Sequence, residues 1–115
     1  MIQEEHKEDR LPDYKKIFLS SWTIEMCMLS LLFRNDTYGD KIAKIDKLQI
    51  SESTVYPILR RLSENEYLES YTYQHNGKLR KFYKITPKGV KRLIELKGAW
   101  CIFTDSVNLL LKESD

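Results

Sequence analysis

Glycine, histidine and cysteine are scarce in this chain, and each scarcity removes a class of chemistry. Among 115 residues there are four glycines, all isolated, so no glycine-rich loop is present to cradle a phosphate on its backbone amides. The two histidines, His6 near the N-terminus and His75 in a polar stretch, have no cysteine, aspartate or serine at a spacing that suggests a nucleophile or a metal site. No catalytic residue, metal or cofactor is therefore expected. Cys27 and Cys101, the only two cysteines, lie in apolar helical contexts and are expected to be buried thiols, not a disulfide. Long hydrophobic runs are also missing. The longest, Met26 to Phe33, is interrupted by Ser30 and is far too short to cross a bilayer. Met1 to Arg10 is polar and mostly acidic, unlike a signal or transit peptide, so no membrane partner is expected and the expected compartment is the cytoplasm.

What is present suits one globular domain: 42% of residues are hydrophobic and 31% charged, enough for a single core. The net charge of +2 conceals an asymmetry. Residues 37–92 hold 12 Lys and Arg against 6 Asp and Glu, while the remainder holds 7 against 11. A basic centre between acidic ends suits a polyanionic partner at one surface.

The apolar periodicity gives the order helix, helix, helix, strand, strand, long helix. Leu11-Pro12-Asp13 opens a helix in which Tyr14, Ile17, Phe18, Trp22, Met26, Leu29 and Phe33 recur at helical spacing, with Ile24, Met28, Leu31 and Leu32 as a second stripe. Thr37 and Asp40 have capping-box spacing for a short helix through Ile42, Ala43 and Ile45. Ser51 caps the third helix, which turns Leu59 and Leu62 inward and leaves Ser53, Thr54, Tyr56 and Arg60 outward. Pro57 within it removes a backbone hydrogen bond at about 3 kcal/mol, and is expected to set a kink. Tyr67–Gln74 and Leu79–Ile85 read as strands joined at Asn76-Gly77, a pair that tolerates the positive φ values of a type I′ turn. Thr86-Pro87 starts the last helix, with Thr as N-cap and Pro in the first helical position. There, Leu93, Leu96, Trp100, Phe103, Val107 and Leu110 are spaced 3, 4, 3, 4, 3, the seam of a coiled coil. A second copy of the chain is the expected cover; folding back onto the first helix is the alternative.

A small helix beside a basic hairpin has the shape of a winged helix, the helix-turn-helix variant that reads DNA. The expected fold is mainly α (α+β): a flexible polar tail over 1–11, a winged helix-turn-helix with a two-stranded wing over 12–86, and a dimerisation helix over 87–115. Candidate DNA-binding residues are Lys44, Ser51, Ser53, Thr54, Tyr56, Arg60, Arg61, Lys78, Arg80 and Lys81, with Lys41 and Lys47 as further backbone contacts. The hydroxyls and the helix N-terminus suit phosphate or base edges. The wing cations suit phosphates or a minor groove. Each has a plainer reading: Ser53 and Thr54 as ordinary first-turn residues, Tyr56 as packing against the wing, any one wing cation as solvated. Arg60 and Arg61 lie roughly 100° apart on a helix, so one is expected at DNA and the other at an acid such as Glu64 or Asp46.

Together Tyr38-Gly39, Ser51-Glu52-x-Thr54-Val55-Tyr56-Pro57-x-Leu59-x-Arg61-Leu62, Gly77, Arg80-Lys81-Phe82-Tyr83 and Thr86-x-x-Gly89 resemble the PadR-type transcriptional regulators, over about Trp22 to Leu111. The likeness is to the short subfamily with one C-terminal dimerisation helix. It implies a homodimeric repressor on a palindromic DNA operator, with small apolar or aromatic effectors bound at the dimer interface near Trp100; Trp22 and Phe103 join it as candidate lining residues. Trp22, Ser53 and Glu66 stand where the family usually has glycine, and Lys78-Leu79 where it often has prolines. Asp40 stands where the family usually has an aromatic. Without the glycine at 66, Asn65 is the residue expected to turn left-handed at the end of the third helix. Trp22 is expected to fill or reshape the effector cavity. An alternative is a winged-helix protein-interaction module, or a ligand-binding dimer that has lost specific DNA binding.

Overall fold

The computed structural model describes residues 21–44 and 50–113. The elements are α1 (Ser21–Arg34), β1 (Thr37–Tyr38), α2 (Gly39–Ala43), α3 (Glu52–Glu64), β2 (Leu68–His75), β3 (Lys78–Ile85) and α4 (Pro87–Glu113). The expected tail, the expected helix start at Pro12, Ile45 and the cation Lys47 lie outside the described residues.

The core forms where the apolar faces of α1, α2 and α3 meet the inner side of the hairpin. Met28 and Leu29 of α1, and Val55, Leu59 and Leu62 of α3, are fully buried, joined by Ile24, Leu32, Ile42, Ile50, Ile58, Leu68 and Tyr83. On α3 the buried positions 55, 58, 59 and 62 follow the helical repeat. Pro57 lies on the opposite, exposed side. There its missing N–H affects only the Ser53 carbonyl one turn back, near the helix start, and α3 continues through it to Glu64.

The sheet has three strands in the order β1-β3-β2, all antiparallel, one more than the expected two. Thr37 faces Tyr83 and Tyr38 faces Phe82. Thr37 is thus a strand residue and not a helix cap; Tyr38 is the N-cap of α2 and makes no side-chain capping bond. The hairpin closes as its sequence predicts: His75 pairs with Lys78, and Asn76 and Gly77 take φ values of 53° and 80°.

Two junctions hold the hairpin between helices. At the end of α3, Glu66 itself is left-handed, with φ 65°, whereas Asn65, expected in that role, has φ −86°. At the start of α4, the Gly89 N–H donates to Thr86 Oγ1 at 3.0 Å, and the Thr86 hydroxyl donates to the Glu66 carbonyl at 2.7 Å. The Thr86 cap therefore ties α4 to the turn that ends α3. Gly89 is buried against the Tyr67 carbonyl, where a Cβ would overlap it.

The apolar repeat of α4 divides. Leu96 is buried in the core, and Leu93 packs against it, so these two belong to the chain's own interior and not to an outward seam. Beyond Trp100 the helix opens: Phe103 is 52% exposed and Leu110 63%. Cys101 is exposed and Cys27 half-buried, both as free thiols; burial pushes the Cys27 thiol up. The expectation of two buried thiols fails at Cys101 because it lies on the uncovered half of α4. No helix among the described residues is long and apolar enough to cross a membrane.

Candidate nucleic-acid interface

The outward side of α3 and the adjoining strand β3 enclose two neighbouring clefts. One, of about 370 Å³, lies between Tyr38, Gly39, Asp40, Tyr56, Leu79, Arg80, Lys81 and Tyr83. The other, also about 370 Å³, is lined by Tyr56, Arg60, Ser63, Glu64, Lys81 and Tyr83. Tyr56, Lys81 and Tyr83 border both, so helix and wing share one continuous surface. At its helical end the Ser51 hydroxyl pairs with Ser53 Oγ at 2.9 Å and Thr54 Oγ1 at 3.2 Å. This hydroxyl cluster forms instead of a side-chain cap to the backbone, which Ser51 does not make. The Thr54 and Val55 amides donate to the Ser51 carbonyl, so the amides before them keep the favourable partial charge of a helix start for an anion.

The expected contact residues differ in how free they are. Ser51, Ser53, Arg60, Lys78 and Lys81 are exposed, as is Lys44 at the end of α2. Arg61 is engaged by the protein itself: its Nη2 donates to Glu25 Oε2 at 3.0 Å. Glu25 is 11% exposed at its side chain and also meets Arg92 Nη2 at 3.6 Å. The expectation of an acidic partner for one of the two arginines is met, and among the described residues the partner is Glu25 and not Glu64; Asp46 lies outside the described residues. Glu25 is a buried acid in the middle of an apolar helix, and such a charge requires partners. Its place among the inward-facing residues of the run from Trp22 to Phe33 is the signal that would have found it.

Arg80 is engaged as well. Its Nη1 meets Asp40 Oδ2 at 3.3 Å, and its guanidinium lies 4.5 Å from the centre of the Tyr38 ring. The second Asp40 oxygen accepts the Tyr56 hydroxyl. That hydrogen bond, then Arg80, holds the Asp40 carboxyl below the ordinary aspartate value. The same bond pushes Tyr56 up to about 12, so the phenol remains a donor at neutral pH. Tyr56 can reach Asp40 because it lies across Gly39, where an added Cβ would stand 2.5 Å from the ring.

On the outer sheet face Phe82 is surrounded by Tyr38, Tyr71, Tyr73 and His75 with centroids 5.2–6.1 Å away. These contacts stiffen the hairpin that carries the wing cations. Elsewhere, Trp22 and Trp100 touch at 6.1 Å between centroids, and Trp100 lies 6.2 Å from Phe103. The three expected effector-site residues therefore form one aromatic row where α1 meets α4.

The family model described as the transcriptional regulator PadR-like family matches residues 28–95, the segment from α1 through the hairpin to the buried part of α4. Among solved structures, the smu.1704 protein of Streptococcus mutans is similar, with 35% identity and a TM-score of 0.77 over 82% of this chain and 91% of its own. A PadR family transcriptional regulator of Eggerthella lenta has 34% identity and a TM-score of 0.68 over 77% and 81%. An uncharacterized protein of Lysinibacillus sphaericus is 29% identical over 77% of this chain and 88% of its own. With the winged fold and its exposed basic surface, these place the chain in the PadR-like family of transcriptional regulators, DNA-binding proteins and not enzymes.

Proposed function

We propose that this regulator is a homodimeric repressor that reads a palindromic operator through the surface shared by α3 and the wing. The observation that carries the reading is the continuity of that surface, since Tyr56 and Lys81 border both clefts. Ser51, Ser53, Thr54 and Tyr56 present hydroxyls at the helix start; Arg60, Lys44, Lys78 and Lys81 supply exposed charge for phosphates. Arg61 is assigned to the core ionic junction with Glu25 instead. The winged domain and the last helix act as separate functional parts, reading DNA and setting the distance between two readers.

The dimer is supported by the second half of α4. Ile102, Phe103, Leu109, Leu110 and Leu111 each keep more than half of their surface exposed, an apolar stretch that a symmetry mate would bury. Phe103, Val107 and Leu110 form this seam, with Trp100 at its inner edge. An aromatic effector would stack in the row of Trp22, Trp100 and Phe103, where it touches the helix that sets the spacing of the two readers.

The test is a gel-shift titration on DNA upstream of its own gene over a salt series, with sedimentation of the free protein. Specific binding by a dimer, weakening steeply with salt, supports the reading. A stable dimer without DNA binding favours the protein-interaction alternative. A reporter behind the bound DNA separates repression from activation. Quenching of tryptophan fluorescence by phenolic acids or planar aromatic cations tests the effector.

A further inference from the structure

Asp40 places a carboxylate on a surface otherwise built to meet an anion. It borders the same cleft as Tyr56, Arg80 and Lys81, and its two oxygens are directed at two of the groups a phosphate would use. Oδ1 accepts the Tyr56 hydroxyl and Oδ2 meets Arg80 Nη1. An arginine and a hydroxyl converging on a two-oxygen anion is the arrangement that recognises a phosphate. Here the anion belongs to the protein.

We propose that Asp40 is a built-in counter-anion that occupies Arg80 and the Tyr56 hydroxyl, so that a DNA phosphate gains Arg80 only by displacing this carboxylate. The inference rests on the DNA-binding reading of this surface. The grip on Arg80 is single and long: one guanidinium nitrogen at 3.3 Å, against about 2.7–2.9 Å for a strong charged hydrogen bond. Arg80 Nε is enclosed yet finds no protein partner. A phosphate able to take two guanidinium nitrogens in place of one would hold Arg80 more firmly than Asp40 does, and this makes the exchange chemically reasonable. The face of the guanidinium lies against Tyr38 at 4.5 Å, so the exchange needs no large movement of the arginine. Asp40 is ionised at neutral pH, because its partners favour the charged form. Asp40 is therefore a positioning residue that weakens the wing's grip on DNA and makes Arg80 a conditional contact.

The experiment is a double-mutant cycle in the full chain, read by fluorescence anisotropy on a mixed-sequence DNA duplex over a salt series. Asp40→Asn keeps an acceptor for Tyr56 and removes the charge. It is expected to tighten binding roughly fivefold, the size of an exposed ion pair's coupling, and to steepen the salt dependence by about one counterion. Arg80→Gln should weaken binding only modestly in the wild-type background and several-fold more in the Asp40→Asn background, where it abolishes the gain. If the gain survives Arg80→Gln, Asp40 acts only through general charge and the inference is overturned. It is also overturned if Asp40→Asn binds no better than wild type, or if Arg80→Gln weakens both backgrounds equally. Failure of the wild type and Asp40→Asn to bind any duplex overturns the DNA reading itself, a distinct outcome. Matched thermal unfolding of the variants confirms that the differences lie in binding.

Discussion

The two halves of α4 carry the same apolar repeat, yet Leu96 retains 6% of its surface while Phe103 and Leu110 retain 52% and 63%. Glu25 lies opposite Arg92 and Trp22 opposite Trp100, so α1 and α4 run antiparallel as far as the tryptophan pair, next to the first described residue. Before that point the repeat builds the chain's own core. After it, the repeat faces outward. The same division recurs between neighbours elsewhere. Arg61 is bound to Glu25 while Arg60 is exposed, and Arg80 is held by Asp40 while Lys81 is exposed. A residue type and its spacing therefore specify a face, and the opposing element decides whether that face stabilises the fold or is left for a partner.

Leu96→Ala is the strongest way to break this comparison. It removes a buried side chain where α4 meets the core, and should cost about 3 kcal/mol in urea unfolding. Leu110→Ala should cost under about 0.5 kcal/mol for the isolated protomer, as expected of an exposed site. Equal costs at the two positions, measured at high dilution, would mean that the second half of α4 is also covered within the chain.

Phe103→Ser with Leu110→Ser is the next largest. Two apolar anchors lost from each copy should weaken the proposed dimer by about 2–3 kcal/mol, on the order of a hundredfold in Kd. The helical signal of the protomer should be unchanged. Sedimentation equilibrium reads the first effect and circular dichroism the second; a dimer that survives the pair places the interface elsewhere.

How much of this was legible in the sequence follows from how local each signal is. The Asn76-Gly77 turn and the Thr86-Pro87 start depend on backbone preferences within a few residues, and both stand where the sequence puts them. The inward face of α3 is set by its own periodicity and was equally plain. What was missed needs elements far apart in the chain. Thr37 looked like a cap because nothing nearby reveals that β3 will pair with it. Asn is the better left-handed residue in isolation, whereas the Thr86 hydroxyl that accompanies the Glu66 conformation comes from 20 positions away. The repeat of α4 looks like one surface in sequence because a heptad pattern carries no information about where its cover ends. On the candidate interface the residue types were readable, but the engagement of Arg61 by Glu25 and of Arg80 by Asp40 depends on separations of 36 and 40 residues.

The adjacent arginines sharpen the comparison on a smaller scale. Arg60→Ala should reduce DNA affinity by about 1 kcal/mol and the salt slope by about one, leaving stability unchanged. Arg61→Ala should do the reverse. Among the described residues it leaves Glu25 with only the more distant Arg92 and should lower stability by about 1 kcal/mol, less than for a fully buried pair because Arg61 is 41% exposed at its side chain. Salt-dependent anisotropy and urea unfolding of the two variants measure both quantities. A loss of DNA affinity in Arg61→Ala equal to that in Arg60→Ala, at unchanged stability, would return Arg61 to the DNA surface.

Tyr56 gives the finest test, because it is exposed yet held by an internal partner. Its phenol is pushed up to about 12, first by the hydrogen bond to Asp40, so the folded protein keeps this proton more tightly than the unfolded chain. The associated stability is fully present below the ordinary tyrosine value of 10.0 and is lost as the pH rises through about 12. Among seven tyrosines the step is isolated by difference: the ultraviolet titration of wild type minus Tyr56→Phe should show one tyrosinate appearing near 12. In an Asp40→Asn background the same difference should move down toward 10.0, because the carboxylate charge that opposes ionisation is gone. A Tyr56 step that ignores Asp40 would show that the hydrogen bond between them does not persist in solution.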